Sequence, residues 1–470
     1  APPKPVENYR RLLEDLVRVR SGLEGPDGFG TSMCCPPPPV PIEHQPTGQI
    51  EHPPMGQIEP LPVRQVLVAE GGSKKPDFVS AGELDWAGRE TSALAAEGRL
   101  IISSRCEHLT FDLAGGRLVW RHWRHLPSAA RPWPLLATPP VLAKEMVLVR
   151  RAIDGIHELA ALEWASGRLL WSTTGDDYIA GEALWADQAV WAFTVRAIEG
   201  QKNILSLLRL DPATGRVQQR FPLLEFRSHS EPNVWCQAAL QDDRIVATAA
   251  GVVFCCDLAG RLAWARRQTW VPPPGRAMYE ARLWLVQKPS PPIIQGRWVY
   301  TTQPGVWNVE CIDLGTGRLR WRSSLSELVG LVGLQRGKLI VLTVEGLVAL
   351  DALTGRVLWR HDTPGRQEAV LCGPPGGLLY AKRKPPTDPN RQPPKIFLVW
   401  VDPDRGAPVG EYPLDLPSES KPLVGPLASD GQRLWLFWGK ADDSASRTVL
   451  EVLRHAEPKG KPSGNQKGFP

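Results

Sequence analysis

The sequence predicts an all-β fold, an eight-bladed β-propeller of four-stranded antiparallel blades, and three observations carry that expectation. The first is a recurring unit, clearest at 349–359 (Ala-Leu-Asp-Ala-Leu-Thr-Gly-Arg-Val-Leu-Trp), whose degraded copies end at Trp120, Trp171, Gln219, Trp264, Trp321, Trp359 and Gly410. The second is its spacing. The glycine of the unit falls at 116, 167, 215, 260, 317, 355 and 406, and four short strands in roughly 40 to 50 residues make one propeller blade. The third is composition: 19 tryptophans against 6 tyrosines point to one packing role used many times, and 47 prolines with 43 glycines supply frequent turns.

Residues 1–24 read as a short amphipathic helix over Pro5 to Gly22. Val6, Tyr9, Leu12, Leu13, Leu16 and Val19 recur every three or four residues with charged residues between them. Such a helix is the end of a preceding domain, lies on the domain that follows, or docks a partner. Residues 25–62 form a Pro-rich linker, with an unbroken run from Pro36 to Pro39, because proline removes backbone donors and biases its predecessor to extended geometry. His44 and His52 each neighbour a glutamate, but nothing in such a linker holds two histidines at ligand distance.

The propeller is expected over 63–456. Apolar hairpins fall at 91–103, 136–149, 179–193, 234–248, 292–301, 329–343, 370–381 and 423–437, most with a polar tip such as Gln-Asp-Asp-Arg at 241–244. The strand, turn and Trp half follows only seven of them. The eighth hairpin is followed by a third strand at 447–453 and no fourth; the apolar stretch 64–70 is expected to complete that blade and close the ring, leaving no open edge at the seam. Residues 382–395 are a basic insertion without aromatic residues to stack on bases, so nucleic acid is not an expected partner. A disordered basic tail occupies 457–470.

Within each unit the chemistry is that of a turn and a joint. Asp112, Asp211, Asp257, Asp313 and Asp351 are placed to accept turn N–H groups, and Gly116, Gly167, Gly215, Gly260, Gly317 and Gly355 allow positive φ. Trp120, Trp171, Trp264, Trp321 and Trp359, four residues past the glycine, are expected to insert between neighbouring blades. Gln219 and Gly410 interrupt the series, which predicts weaker joints there.

The net charge of +5, from 55 basic and 50 acidic residues, is dispersed and selects no partner. No apolar run approaches the roughly 18 residues of a membrane span. The chain starts Ala-Pro-Pro-Lys, with no signal peptide, so a leader has been removed or the chain is an excerpt. Eight cysteines lie mostly in apolar, strand-like runs without zinc spacing, which reads as buried free thiols; the neighbours Cys255 and Cys256 stand out. One stretch mixes cations with aromatic rings at a strand end: Arg121, His122, Trp123, Arg124 and His125 form a candidate ligand lip, or an irregular crossing between the first two blades.

The pattern Ala349, Asp351, Thr354, Gly355, Arg356 and Trp359 resembles the tryptophan-docking motif of the pyrroloquinoline quinone (PQQ) repeat family, its BamB-like members included. Asp313, Thr316, Gly317, Arg318 and Trp321 match with Cys311 in place of Ala, and Asp257, Gly260, Arg261 and Trp264 form a copy one residue short. The resemblance covers roughly residues 64–455. It implies a noncatalytic scaffold that binds protein or peptide partners, a monomeric ring, and a periplasmic or otherwise extracytoplasmic setting, with no catalytic residue, metal or cofactor expected. Two alternatives stay open. One is a quinoprotein dehydrogenase holding PQQ and calcium on the ring axis, for which Asp176, Asp177, Glu231 and Asn233 are the loop oxygens available. The other is a sensor or ligand-binding propeller of a larger multidomain protein.

Overall fold

Short apolar runs broken by glycine and polar tips favour pairing with the next run along the chain, and the fold is built almost entirely of such hairpins. The structure, a computed structural model, describes residues 18–19, 64–68, 92–103, 107–113, 118–123, 138–153, 156–173, 178–198, 202–227, 236–249, 251–268, 290–302, 307–363, 367–373, 377–384, 395–414, 422–429, 433–440 and 443–454. Among the described residues every regular element is a β-strand.

The strands form eight antiparallel sheets, numbered here in chain order: 92–123, 141–172, 178–227, 236–267, 293–324, 328–362, 367–414 and 422–454. Seven of them are four-stranded blades, one fewer than expected. Sheet three departs from the pattern and has six strands. Its innermost strand is broken into Tyr178–Ile179 and Leu184–Ala186, which pair with the same neighbour, Ala189–Ile198. At its outer edge Arg18–Val19 adds a further strand, Arg18 opposite Glu225 and Val19 opposite Leu224.

That addition corrects the expected helix at Arg18–Val19: Val19, on the apolar helical stripe by its spacing, pairs with a sheet edge, where backbone hydrogen bonds to another segment replace those a helix makes internally. The rest of Pro5 to Gly22, the linker 25–62 and the tail 457–470 lie outside the described residues. Arg64–Val68 pairs with the 443–454 strand, Arg64 opposite Glu451, and is the fourth strand of sheet eight.

From sheet one to sheet seven each pair of successive sheets shares a core, as between sheets six and seven, where Ile340, Ala349 and Trp359 meet Leu378, Tyr380 and Val399. The first strands of sheets six, seven, eight and one touch in sequence, so they lie innermost and the last sheet closes against the first. Strand alternation sends successive side chains to the two neighbouring sheets. Cys256 accordingly packs in the core between sheets three and four and Cys255 in the core between four and five. Both are free thiols, with Cys236 and Cys311, and burial raises the pKa of each.

Candidate functional site

The repeated residues build joints. In sheet six Gly355 N–H donates to Asp351 O at 2.8 Å, and Asp351 Oδ1 accepts from Leu353 N–H, Thr354 N–H and the Thr354 hydroxyl at 2.7 to 3.0 Å. The turn forces Gly355 to φ +72°, a region glycine enters without steric cost. The indole of Trp321, from sheet five, covers that glycine: a Cβ on Gly355 would lie 2.4 Å from Trp321 Cε3. Trp321 Nε1 then donates to Ala352 O at 3.0 Å.

The same joint recurs around the ring. Trp120 covers Gly167, Trp171 covers Gly215, Trp264 covers Gly317 and Trp359 covers Gly406. Each indole N–H donates to the carbonyl that follows the acidic residue of the next sheet, at Trp164, Pro212, Leu314 and Pro403, over 2.7 to 3.0 Å. Asp211 and Asp313 cap their turns as Asp351 does. Asp257 accepts from Ala259 and Arg261 in a turn one residue shorter. Asp112 starts the corresponding turn of sheet one, and Gly116 lies outside the described residues.

Aromatic residues stand at both interruptions of the series. Opposite Gln219 the small residue of the motif becomes Arg209, whose guanidinium lies 5.8 Å from the ring centroid of Trp191. Phe221, two residues beyond Gln219, covers Gly260 in the place of the missing indole. In sheet seven the pair is inverted. Trp400 occupies the small-residue position directly opposite Gly410, and it is buried. Nothing in the repeat pattern marked either aromatic residue; the signal that could have found Trp400 is its place two residues before Asp402, where Ala349 stands before Asp351.

A second set of polar residues gathers at the opposite strand ends, along the seams that sheet two makes with sheets one and three. His122, at the end of the outer strand of sheet one, accepts at Nε2 from Arg151 Nη1 at 3.0 Å. Arg151 also pairs with Glu158 at 2.7 Å. His108 stacks on His122 with ring centroids 6.2 Å apart and bonds through Nδ1 to the Ser103 hydroxyl at 2.7 Å. Burial, reinforced by the positive charges of His122 and Arg151, drives the His108 pKa down to about 3, so this ring is neutral at physiological pH.

On the other face of the same strand Arg150 donates to His157 Nδ1 at 2.6 Å and to the Tyr178 hydroxyl at 3.2 Å. Burial lowers the Arg150 pKa and raises that of Tyr178. Of the expected lip, Arg121 is exposed on the outer strand, His122 joins this network, and Trp123 ends the strand opposite Glu107. Arg124 and His125 lie outside the described residues, as do Asp176, Asp177, Glu231, Asn233, His44 and His52.

Two arginines, one carboxylate and three imidazoles thus line the seams that sheet two makes with its neighbours. Among the described residues no group of three or more His, Cys, Asp or Glu side chains is placed to hold a metal ion. The described residues of the innermost strands are mainly aliphatic, as in Leu184–Ala186, Ile293–Gln295 and Leu328–Gln335.

A ring of antiparallel four-stranded blades joined by indole-on-glycine contacts defines a PQQ-repeat β-propeller. The family model described as outer membrane protein assembly factor BamB matches residues 107–303 and 249–434, well over half of the chain, and the chain belongs to that family. Among solved structures it is similar to BamB from Moraxella catarrhalis, at 15% identity and a TM-score of 0.52, over 77% of this chain and 97% of that one. It also resembles Saccharomyces cerevisiae Sqt1 (9% identity, TM-score 0.48, 78% of this chain and 97% of that chain). A third is the dihydro-heme d1 dehydrogenase NirN (12% identity, TM-score 0.43, 68% of this chain and 65% of that chain). No curated protein matches the sequence.

Proposed function

We propose that the chain is a noncatalytic scaffold that binds protein or peptide partners outside the cytoplasm, as a component of the bacterial envelope. The observation that supports it most is where the motif chemistry goes. The described aspartates, glycines and tryptophans of the repeat are engaged in turns and joints, which leaves the surfaces between them for binding. Membership of a family described as an outer membrane assembly factor supports the setting and the kind of partner.

The reading includes neither quinone nor calcium. Photo-crosslinkers at Arg121 and His122, introduced into the full chain in its native compartment, should give discrete protein adducts. Titration with PQQ and calcium should give no saturable absorbance change and no dye-linked alcohol oxidation. A stoichiometric quinone complex would overturn the proposal in favour of a quinoprotein dehydrogenase.

A further inference from the structure

The outer edge of each sheet is a strand bonded on one side only, and such an edge is a template for a further strand. Sheet three shows the template in use: Arg18–Val19 lies on its edge with Arg18 opposite Glu225 in register. Among the described residues, sheet six carries the same kind of edge with no further strand on it: its last strand, Val357–Asp362, pairs there only with Gly346–Asp351.

That strand exposes Val357 and Leu358, and the turn before it exposes Leu353 at 52%. Leu319 and Val409, in the outer strands of the flanking sheets, are exposed as well. Among them stand Arg318, Arg356 and Arg360, exposed and with no side-chain partner among the described residues. Arg320 is the committed one, donating to Leu353 O at 2.9 Å and stacking 4.1 Å from the Trp298 ring centroid. The acids nearby are largely engaged: Asp351 caps its turn, and Asp404 pairs with Arg336 and Lys338. Asp362 ends the edge strand. The edge is therefore cationic and aliphatic.

Resting on the scaffold function, we propose that the outer edge of sheet six is a strand-addition site for an extended peptide that alternates acidic and aliphatic residues. Backbone bonds to the edge supply the affinity, and Arg356 and Arg360 select the charge.

The probe is a fluorescein-labelled dodecapeptide of alternating Glu and Val, titrated into the full chain by anisotropy, with an alternating Lys and Val peptide beside it. The Glu peptide should bind, and hydrogen exchange should show new protection of amides within 357–362. The double variant Arg356→Glu and Arg360→Glu changes two exposed side chains, and circular dichroism verifies that it folds. It should weaken the Glu peptide at least tenfold and strengthen the Lys peptide. Binding without protection of that strand, equal binding by the folded variant, or arginine-dependent binding of phosphatidylglycerol vesicles with no peptide binding would each overturn the proposal. If the peptide fails while the Arg121 and His122 adducts persist, the edge site falls and the scaffold function stands; if the adducts fail too, that function falls with it.

Discussion

Gly355 lies beneath the indole of Trp321 so closely that one added carbon would sit 2.4 Å from the ring. Gly337 has the same left-handed backbone, φ +73° against +72°, with nothing within 4 Å of where its Cβ would stand. The two glycines thus separate backbone strain from the joint. Gly337→Ala should lose about 1 to 2 kcal/mol, the strain of an L-residue in the left-handed region. Gly355→Ala adds an overpacked ring contact of about 1 to 3 kcal/mol. Urea denaturation of both variants checks this, and equal losses would remove the indole contact as a source of stability.

Trp359 contributes in two separable ways, through its buried ring and through the Nε1 bond to Pro403 O at 3.0 Å. Trp359→Phe keeps most of the ring and should cost about 1 kcal/mol for the lost hydrogen bond. Trp359→Ala should cost about 3 to 5 kcal/mol. A loss below about 0.5 kcal/mol for the alanine variant, the level of an ordinary surface change, would contradict the docking role.

These joints were legible in the sequence because their parts are close together along the chain: a carboxylate, a glycine three or four residues on, and an indole at a fixed offset. The six strands of sheet three were not. Arg18–Val19 pairs with Glu225 and Leu224, more than 200 residues away, and its apolar spacing satisfies a helix pattern equally well. The polar seam at His122 and Arg151 was legible only by halves. The Trp-Arg-His run showed one side, but the buried arginine comes from the next sheet, and periodicity carries no information on contacts between sheets.

The inverted pair in sheet seven can be tested by exchange. Trp400→Ala should cost about 3 to 5 kcal/mol, and Gly410→Trp alone should cost about 1 to 3 kcal/mol by overpacking against Trp400. Combined, they recreate the small-residue and indole arrangement of sheets five and six. The double variant should be more stable than the sum of the single losses predicts, with a favourable coupling above about 1 kcal/mol in a denaturant double-mutant cycle. Strict additivity would mean that Trp400 and Gly410 do not share one slot.

Two buried groups make opposite demands on pH. Glu182 occupies the break in the inner strand of sheet three, where Gly181 bridges in parallel to Cys236 of sheet four. Burial raises the Glu182 pKa from 4.5 to about 7, opposed by the N–H of Ala238. Between pH 4.5 and 7 the unfolded chain releases this proton while the folded one keeps it, so stability falls as pH rises, by about 3 kcal/mol across the window. His108 works the other way. Its pKa falls from 6.5 to about 3, so between those values the unfolded chain takes up a proton that the folded one refuses. Its stability is present above pH 6.5 and is lost on acidification, by about 5 kcal/mol in full. From pH 4.5 to 6.5 the two slopes, each about 1.4 kcal/mol per pH unit, offset one another. Glu182→Gln should therefore make stability rise with pH over this range relative to the parent, and His108→Asn should make it fall. Urea titrations at half-unit steps measure the slopes directly, whatever each substitution does to absolute stability. Variant curves running parallel to the parent would show that neither group is held away from its solution pKa.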